Sequence, residues 1–285
     1  MTHPITPFLW FDTNAEEATA FYTSIFQNTE AHSGTSFRLD GQEFLSLNGG
    51  PHYHFTPAIS FYVLCETETE IDELWARLNE GGTALMELAQ YPFSKKFGWV
   101  QDRFGLSWQL SLAEVPQTVN PFLMFVGDQY GRAEEAINFY LTVFPESRIN
   151  HIERYPASGS ASGSAGGTEK EGGVMFSSFT LNGTDFMASE NGYDHNFTFS
   201  EATSFFVSVQ TQEEVDTYWE KLTAGGAPGQ CGWLKDRFGV SWQVIPEILG
   251  QYLQDADREK ANRVIQAMLR MTKIDIAGLE AAYSA

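Results

Sequence analysis

The segment Ala15–Phe26, AEEATAFYTSIF, returns as Ala133–Phe144, AEEAINFYLTVF. Working outward from it, Phe37–Leu47 (FRLDGQEFLSL) is echoed by Phe179–Ser189 (FTLNGTDFMAS), and Ile71–Gly82 (IDELWARLNEGG) by Val215–Gly226 (VDTYWEKLTAGG). The match closes on Phe97–Leu110 (FGWVQDRFGLSWQL) against Cys231–Val244 (CGWLKDRFGVSWQV). Order and spacing both survive, so one unit is written twice. A chain of 285 residues has room for two cores of that size. The expected organisation is a first domain over 1–113, a second over 119–246 and a helical tail over 247–285.

Within each copy the hydrophobic period alternates between helix and strand values. Ala18, Phe21, Tyr22, Ile25 and Phe26 follow a helical stripe, as do Ile71, Leu74, Trp75 and Leu78. Short alternating runs at 8–11, 35–39, 43–47, 59–64, 98–101 and 107–111 predict strands. Asp40-Gly41 and Asn182-Gly183 are strong hairpin turns. Each copy therefore reads as a strand–helix–strands module used twice, an α+β class. Spacing differs between the copies in two places. The second carries a Gly/Ser-rich insertion, Pro156–Gly173, read as a flexible surface loop, and the first keeps a longer stretch, Glu87–Lys96, also read as a loop. In the tail, Val264, Ile265, Met268 and Leu269 sit at helical spacing and should dock on a domain.

Hydrophobic residues make up 42% of the chain, enough to bury a core. A formal net charge of −20 with no Lys/Arg cluster disfavours nucleic-acid partners. No long apolar run or signal-like N-terminus appears, which points to no membrane partner and a cytoplasmic protein. Cys65 and Cys231 lie at non-equivalent positions, against a disulfide framework or structural zinc site.

AEEAxxFYxxxF on the first helix and GWxxDRFGxSWQ on the last hairpin, in modules repeated twice per copy, resemble the vicinal oxygen chelate superfamily. More narrowly they resemble its PhnB-like branch, labelled 3-demethylubiquinone-9 3-methyltransferase. The resemblance implies paired βαβββ modules, the glyoxalase/bleomycin resistance fold. It also implies that the two copies pair intramolecularly, since only Ala113–Asn120 separates them; further homodimerisation stays open. The superfamily's metal enzymes take ligands from the first strand of each module and from the last strand. Matched to this chain, those positions fall on Phe8, Ala58 and Gln109 in the first copy and on Phe122, Ala202 and Gln243 in the second. Phenylalanine and alanine cannot ligate a cation, so no metal is expected at either site.

The other candidates read as follows. Gln109 and Gln243 are the best polar pocket residues, with Trp99 and Trp233 as aromatic ones. Trp108 should face away from Gln109 because strand residues alternate. His52 and His54 alternate as if along a strand edge, without a third metal ligand. Asp102 and Asp236 of DRFG organise a hairpin turn or, alternatively, act as general bases. Cys231 reads as a packing thiol. No glycine turn of the nucleotide-binding kind joins a strand to a helix, so no cofactor is expected. The functional expectation is a small-molecule binder with metal-free clefts. A methyltransferase, lyase or isomerase of the same fold, and a non-catalytic scaffold, remain alternatives.

Overall fold

The T-x-x-E sequences at Thr67–Glu70 and Thr211–Glu214 start two of the helices. Thr67 and Thr211 accept the backbone N–H of Glu70 and Glu214 at 3.2 Å each, and Glu214 completes a capping box. The helices carrying the AEEA motif have no side-chain cap of their own. Their first N–H groups go to side chains of a neighbouring strand instead: Ala15 to Asn48 Oδ1 at 2.8 Å and Ala133 to Glu190 Oε1 at 2.9 Å.

The computed structural model describes residues 4–33, 35–156 and 170–285. Most of the insertion read as a flexible loop, 157–169, lies outside the described residues. The first module comprises β1 (Thr6–Phe11), α1 (Ala15–Ile25), β2 (Glu30–Ser33), β3 (Ser36–Leu39) and β4 (Gln42–Asn48). The second comprises β5 (Ile59–Cys65), α2 (Glu68–Asn79), β6 (Thr83–Tyr91), β7 (Ser94–Gln101) and β8 (Ser107–Leu112). The second copy repeats them as β9 (Thr118–Phe125), α3 (Ala133–Val143), β10 (Ser147–Arg154), β11 (Val174–Leu181) and β12 (Thr184–Glu190), then β13 (Thr203–Val209), α4 (Gln212–Thr223), β14 (Ala227–Pro228), β15 (Trp233–Lys235) and β16 (Ser241–Pro246). The tail forms α5 (Glu247–Leu253), α6 (Arg258–Met268) and α7 (Ile276–Ser284).

The sheets do not follow the copies. Sheet I has the order β14-β15-β16-β13-β1-β4-β3-β2 and sheet II the order β10-β11-β12-β9-β5-β8-β7-β6. Each therefore joins one module from either copy, across antiparallel β1–β13 and β5–β9 seams. The cores behave differently. Leu9, Tyr22, Phe44, Phe61 and Trp108 share one cluster within the first copy, packing α1 and α2 between the two sheets. Phe125, Tyr140, Phe186, Phe205 and Trp242 do the same in the second. Each copy is thus held by its core and tied to its twin by its strands. Separately expressed halves, 1–116 and 117–285, should associate on mixing, because each alone leaves β1 and β5, or β9 and β13, as open edges. Sedimentation showing two stable monomers that ignore each other would contradict the seams.

One local outcome differs from expectation. Glu87–Lys96 is no loop: alternation in Leu85-Met86-Glu87-Leu88 continues β6, which pairs with β7 in a long hairpin, with the turn only at 92–93. The second copy shortens that hairpin to the β14–β15 pair, and the tail takes up the edge beyond it. Cys231 and Gly232 donate their backbone N–H groups to the carbonyls of Met271 and Thr272 at 2.8 Å. Leu249, Val264, Ile274 and Leu279 bury a small core against Ile245 of β16.

Candidate functional site

In both copies the Asp of DRFG is buried on the helix side of the sheets, away from their free faces. Asp102 accepts the backbone N–H groups of Phe104 and Leu106 at 2.8 and 3.0 Å, the Tyr22 hydroxyl at 2.7 Å and the Trp108 indole N–H at 2.8 Å. Asp236 repeats this with Phe238, Val240, Tyr140 and Trp242. Burial pushes the Asp102 carboxyl up to about 6 against those hydrogen bonds, and pushes Asp236 upward too. The FY and SWQ motifs thus meet at one carboxylate, which organises the turn and ties the first helix to the last hairpin.

The opposite faces, free of helices, are the candidate sites. Strand alternation places Gln243 on the free face of sheet I and Trp242 in the core, and likewise Gln109 and Trp108 in sheet II. Gln243 Nε2 donates to Ser204 Oγ at 2.9 Å, and Gln109 Nε2 to Ser60 Oγ at 2.8 Å. Pairing sets Phe8 opposite Ser204, and Phe122 opposite Ser60. The sequence-predicted residues therefore regroup: Phe8 shares a face with Gln243 and Trp233 of the other copy, and Phe122 with Gln109 and Trp99. Ala58 and Ala202 are fully buried just before their strands, and the residues beside the glutamines are Ser60 and Ser204. A hydroxyl and an amide on each face do not make the ligand set of a divalent ion. Among the described residues no three His, Cys, Asp or Glu side chains could hold one. His52 and His54 stand exposed in the loop before β5, not on a strand. Burial raises the Cys231 thiol above its ordinary range, the reverse of activation.

The two free faces are not equivalent. On sheet II, Phe122, Met124 and Met187 are buried, with the partly buried Tyr62, Trp99, Phe176 and Phe197 packed against them. Trp99 is pinned there by its indole N–H on Ser107 Oγ at 2.7 Å. On sheet I the equivalent Ser241 Oγ is buried without a partner. Trp233 lies edge-on to Phe8 and Trp10 at 5.5 and 6.1 Å. Phe8, Leu45, Phe206 and Trp233 are only partly buried. A cleft of about 700 Å³ opens at the end of this face, with Thr6, Arg38, Glu43, Leu45, Phe206 and Ser208 along it and Asn120 and Asp185 from the other sheet at its rim. None of the eight sequence-predicted pocket residues lines that cleft, but Phe206 pairs with Gln243 and Leu45 with Phe8, so they continue its floor. Arg38, Glu43 and Ser208 were missed; their only signal was position on the free face of a predicted strand.

A family profile described as 3-demethylubiquinone-9 3-methyltransferase matches residues 3–36, 31–111 and 117–245. No curated protein matches the chain. Among solved structures, the chain is similar to a putative 3-demethylubiquinone-9 3-methyltransferase, PhnB protein, from Bacillus cereus. That protein is 47% identical over 38% of this chain and 98% of its own, with a TM-score of 0.37. Glyoxalase I from Zea mays is 9% identical, covers 90% of this chain and 97% of its own, and aligns with a TM-score of 0.54; the likeness is one of fold.

Proposed function

The chain belongs to the 3-demethylubiquinone-9 3-methyltransferase family, and from that premise we propose that it binds a small organic molecule, without a metal ion, in the cleft of sheet I. The carrying observation is the difference between two faces built from the same motifs. One has Phe122 and Met187 buried under packed aromatic side chains, whereas on the other the equivalent Phe8 and Leu45 are only partly buried and a cleft opens beside them. A concave, partly apolar surface with a few polar groups is the usual form of a ligand site. Sheet II acts as the scaffold that fixes this geometry. Binding is favoured over methyl transfer from a nucleoside donor because the β1–α1 connection, Asp12-Thr13-Asn14, has no glycine turn for a phosphate or sugar. The two unpaired thiols suit a reducing compartment such as the cytoplasm.

A fragment screen by thermal shift tests this. Hits should stabilise the protein, by about 2.7 kcal/mol at 100 times the dissociation constant. Leu45→Trp, which fills the cleft floor, should abolish the shift, whereas Phe176→Ala on sheet II should leave it. Hits indifferent to Leu45→Trp would place binding elsewhere and sink the proposal.

A further inference from the structure

We infer, building on the proposed cleft, that its ligand is an organic cation with a flat apolar body. One row crosses the free face of sheet I. Trp233 pairs with Gln243, Gln243 with Phe206 and Phe206 with Thr6; on the next strand, β4, Glu43 pairs with Arg38 of β3 and Arg38 with Glu30 of β2. The row is aromatic at one end and ionic at the other.

The ionic end is unbalanced. Among the described residues Arg38 is the only Lys or Arg lining the cleft, against Asp40, Glu43 and Asp185. Both arms of its guanidinium are already taken, by Glu30 at 3.1 Å and by Glu43. An anionic ligand would have to displace a carboxylate to reach it. Among the described residues Asp40 and Asp185 form no ion pair. Asp40 accepts only the Asn28 amide at 2.9 Å, and Asp185 only the Thr180 hydroxyl at 2.6 Å. Two carboxylates thus face the cleft with their charge uncompensated, in a chain whose net charge of −20 reinforces their field. The equivalent row of sheet II has Thr180 where Arg38 stands and Arg148 where Glu30 stands. Phe206 and Leu45 supply an apolar floor beside the carboxylates, and Ser208 and Asn120 line the cleft with neutral polar groups.

Three probes with one ring and different charge test the class: phenethylammonium, 2-phenylethanol and phenylacetate, titrated into ¹⁵N-labelled protein. The amides of Thr6, Leu45, Phe206 and Ser208 should move, with the ammonium binding about tenfold more tightly than the carboxylate. Asp40→Asn with Asp185→Asn should cut that preference to about threefold or less and leave the alcohol unchanged. The pair is structurally mild: the second copy already has Asn182 at the turn position of Asp40, with the same positive φ of about 46° against 45°, and an amide oxygen can replace the carboxylate acceptors. If all three probes bind alike at the cleft, or the double variant keeps the full preference, the cation assignment falls while the cleft stands. If no probe moves the cleft amides, the cleft itself fails and this inference with it.

Discussion

Asp102→Ala is expected to lower the unfolding free energy by about 4 kcal/mol, because it strands four donors in a core where each unpaired group costs about 1–3 kcal/mol and the costs are not fully additive. Those donors are the Tyr22 hydroxyl, the Trp108 indole and the Phe104 and Leu106 backbone N–H groups. Asp102→Asn should cost less, about 2 kcal/mol, since its oxygen still accepts the backbone groups while its NH₂ opposes the Trp108 N–H. The carboxyl also sets a pH dependence. Its folded value of about 6 lies above an unfolded value of about 3.9, so the folded state holds the proton more tightly. Its stabilising contribution is full below the unfolded value and is lost as pH rises through about 6. Asp236 shifts in the same direction. In urea melts between pH 4 and 6.5 the stability of the wild type relative to Asp102→Asn should fall as pH rises. A difference that stays constant or grows with pH across that window would contradict the raised value of this buried, hydrogen-bonded carboxyl.

The second large effect lies in the paired glycines of NEGG and TAGG. Gly225 takes a positive φ of 79°, and Gly226 then passes so close to the strand before DRFG that a Cβ would stand 2.1 Å from the Lys235 carbonyl oxygen and 2.9 Å from the Asp236 Cα. Backbone cannot yield as a side-chain tip can. Gly226→Ala should therefore cost about 3 kcal/mol, the upper range for overpacking, and should pull Asp236 off its donors. Gly250→Ala in α5 is the control: nothing lies within 4 Å of the added methyl, and helix propensity predicts about 0.5–1 kcal/mol of stabilisation. Equal behaviour of the two variants in urea melts would refute the close approach.

Periodicity and repetition made the modules legible because both are local properties of the chain. The helices at Ala15 and Glu68, the Asp40-Gly41 hairpin and the last two tail helices follow from spacing alone, whereas the short α5 does not. Which modules share a sheet does not, since the β1–β13 seam joins residues about 200 apart, Phe8 with Ser204, and nothing in either strand names its partner. For the same reason Phe8, Ala58 and Gln109 were grouped by copy although the sheets group them across copies. The positions expected from the resemblance, Ala58 and Ala202, have the right parity but lie two residues before Ser60 and Ser204, which flank the glutamines. The difference between the two faces was out of reach as well. It depends on how Phe122, Met187 and Phe176 pack together, which no single position reveals.

The cleft is tested most directly by ¹⁹F NMR of protein labelled with 5-fluorotryptophan, whose seven tryptophans sample every compartment. Trp233 and Trp10 border the open face, Trp99 belongs to the packed one, and Trp108 and Trp242 are buried on their aspartates. Titration with any thermal-shift hit should move the Trp233 and Trp10 resonances in saturable fashion while Trp99, Trp108 and Trp242 stay fixed. A saturable shift of Trp99 with Trp233 and Trp10 unmoved would place the ligand on sheet II and contradict the account.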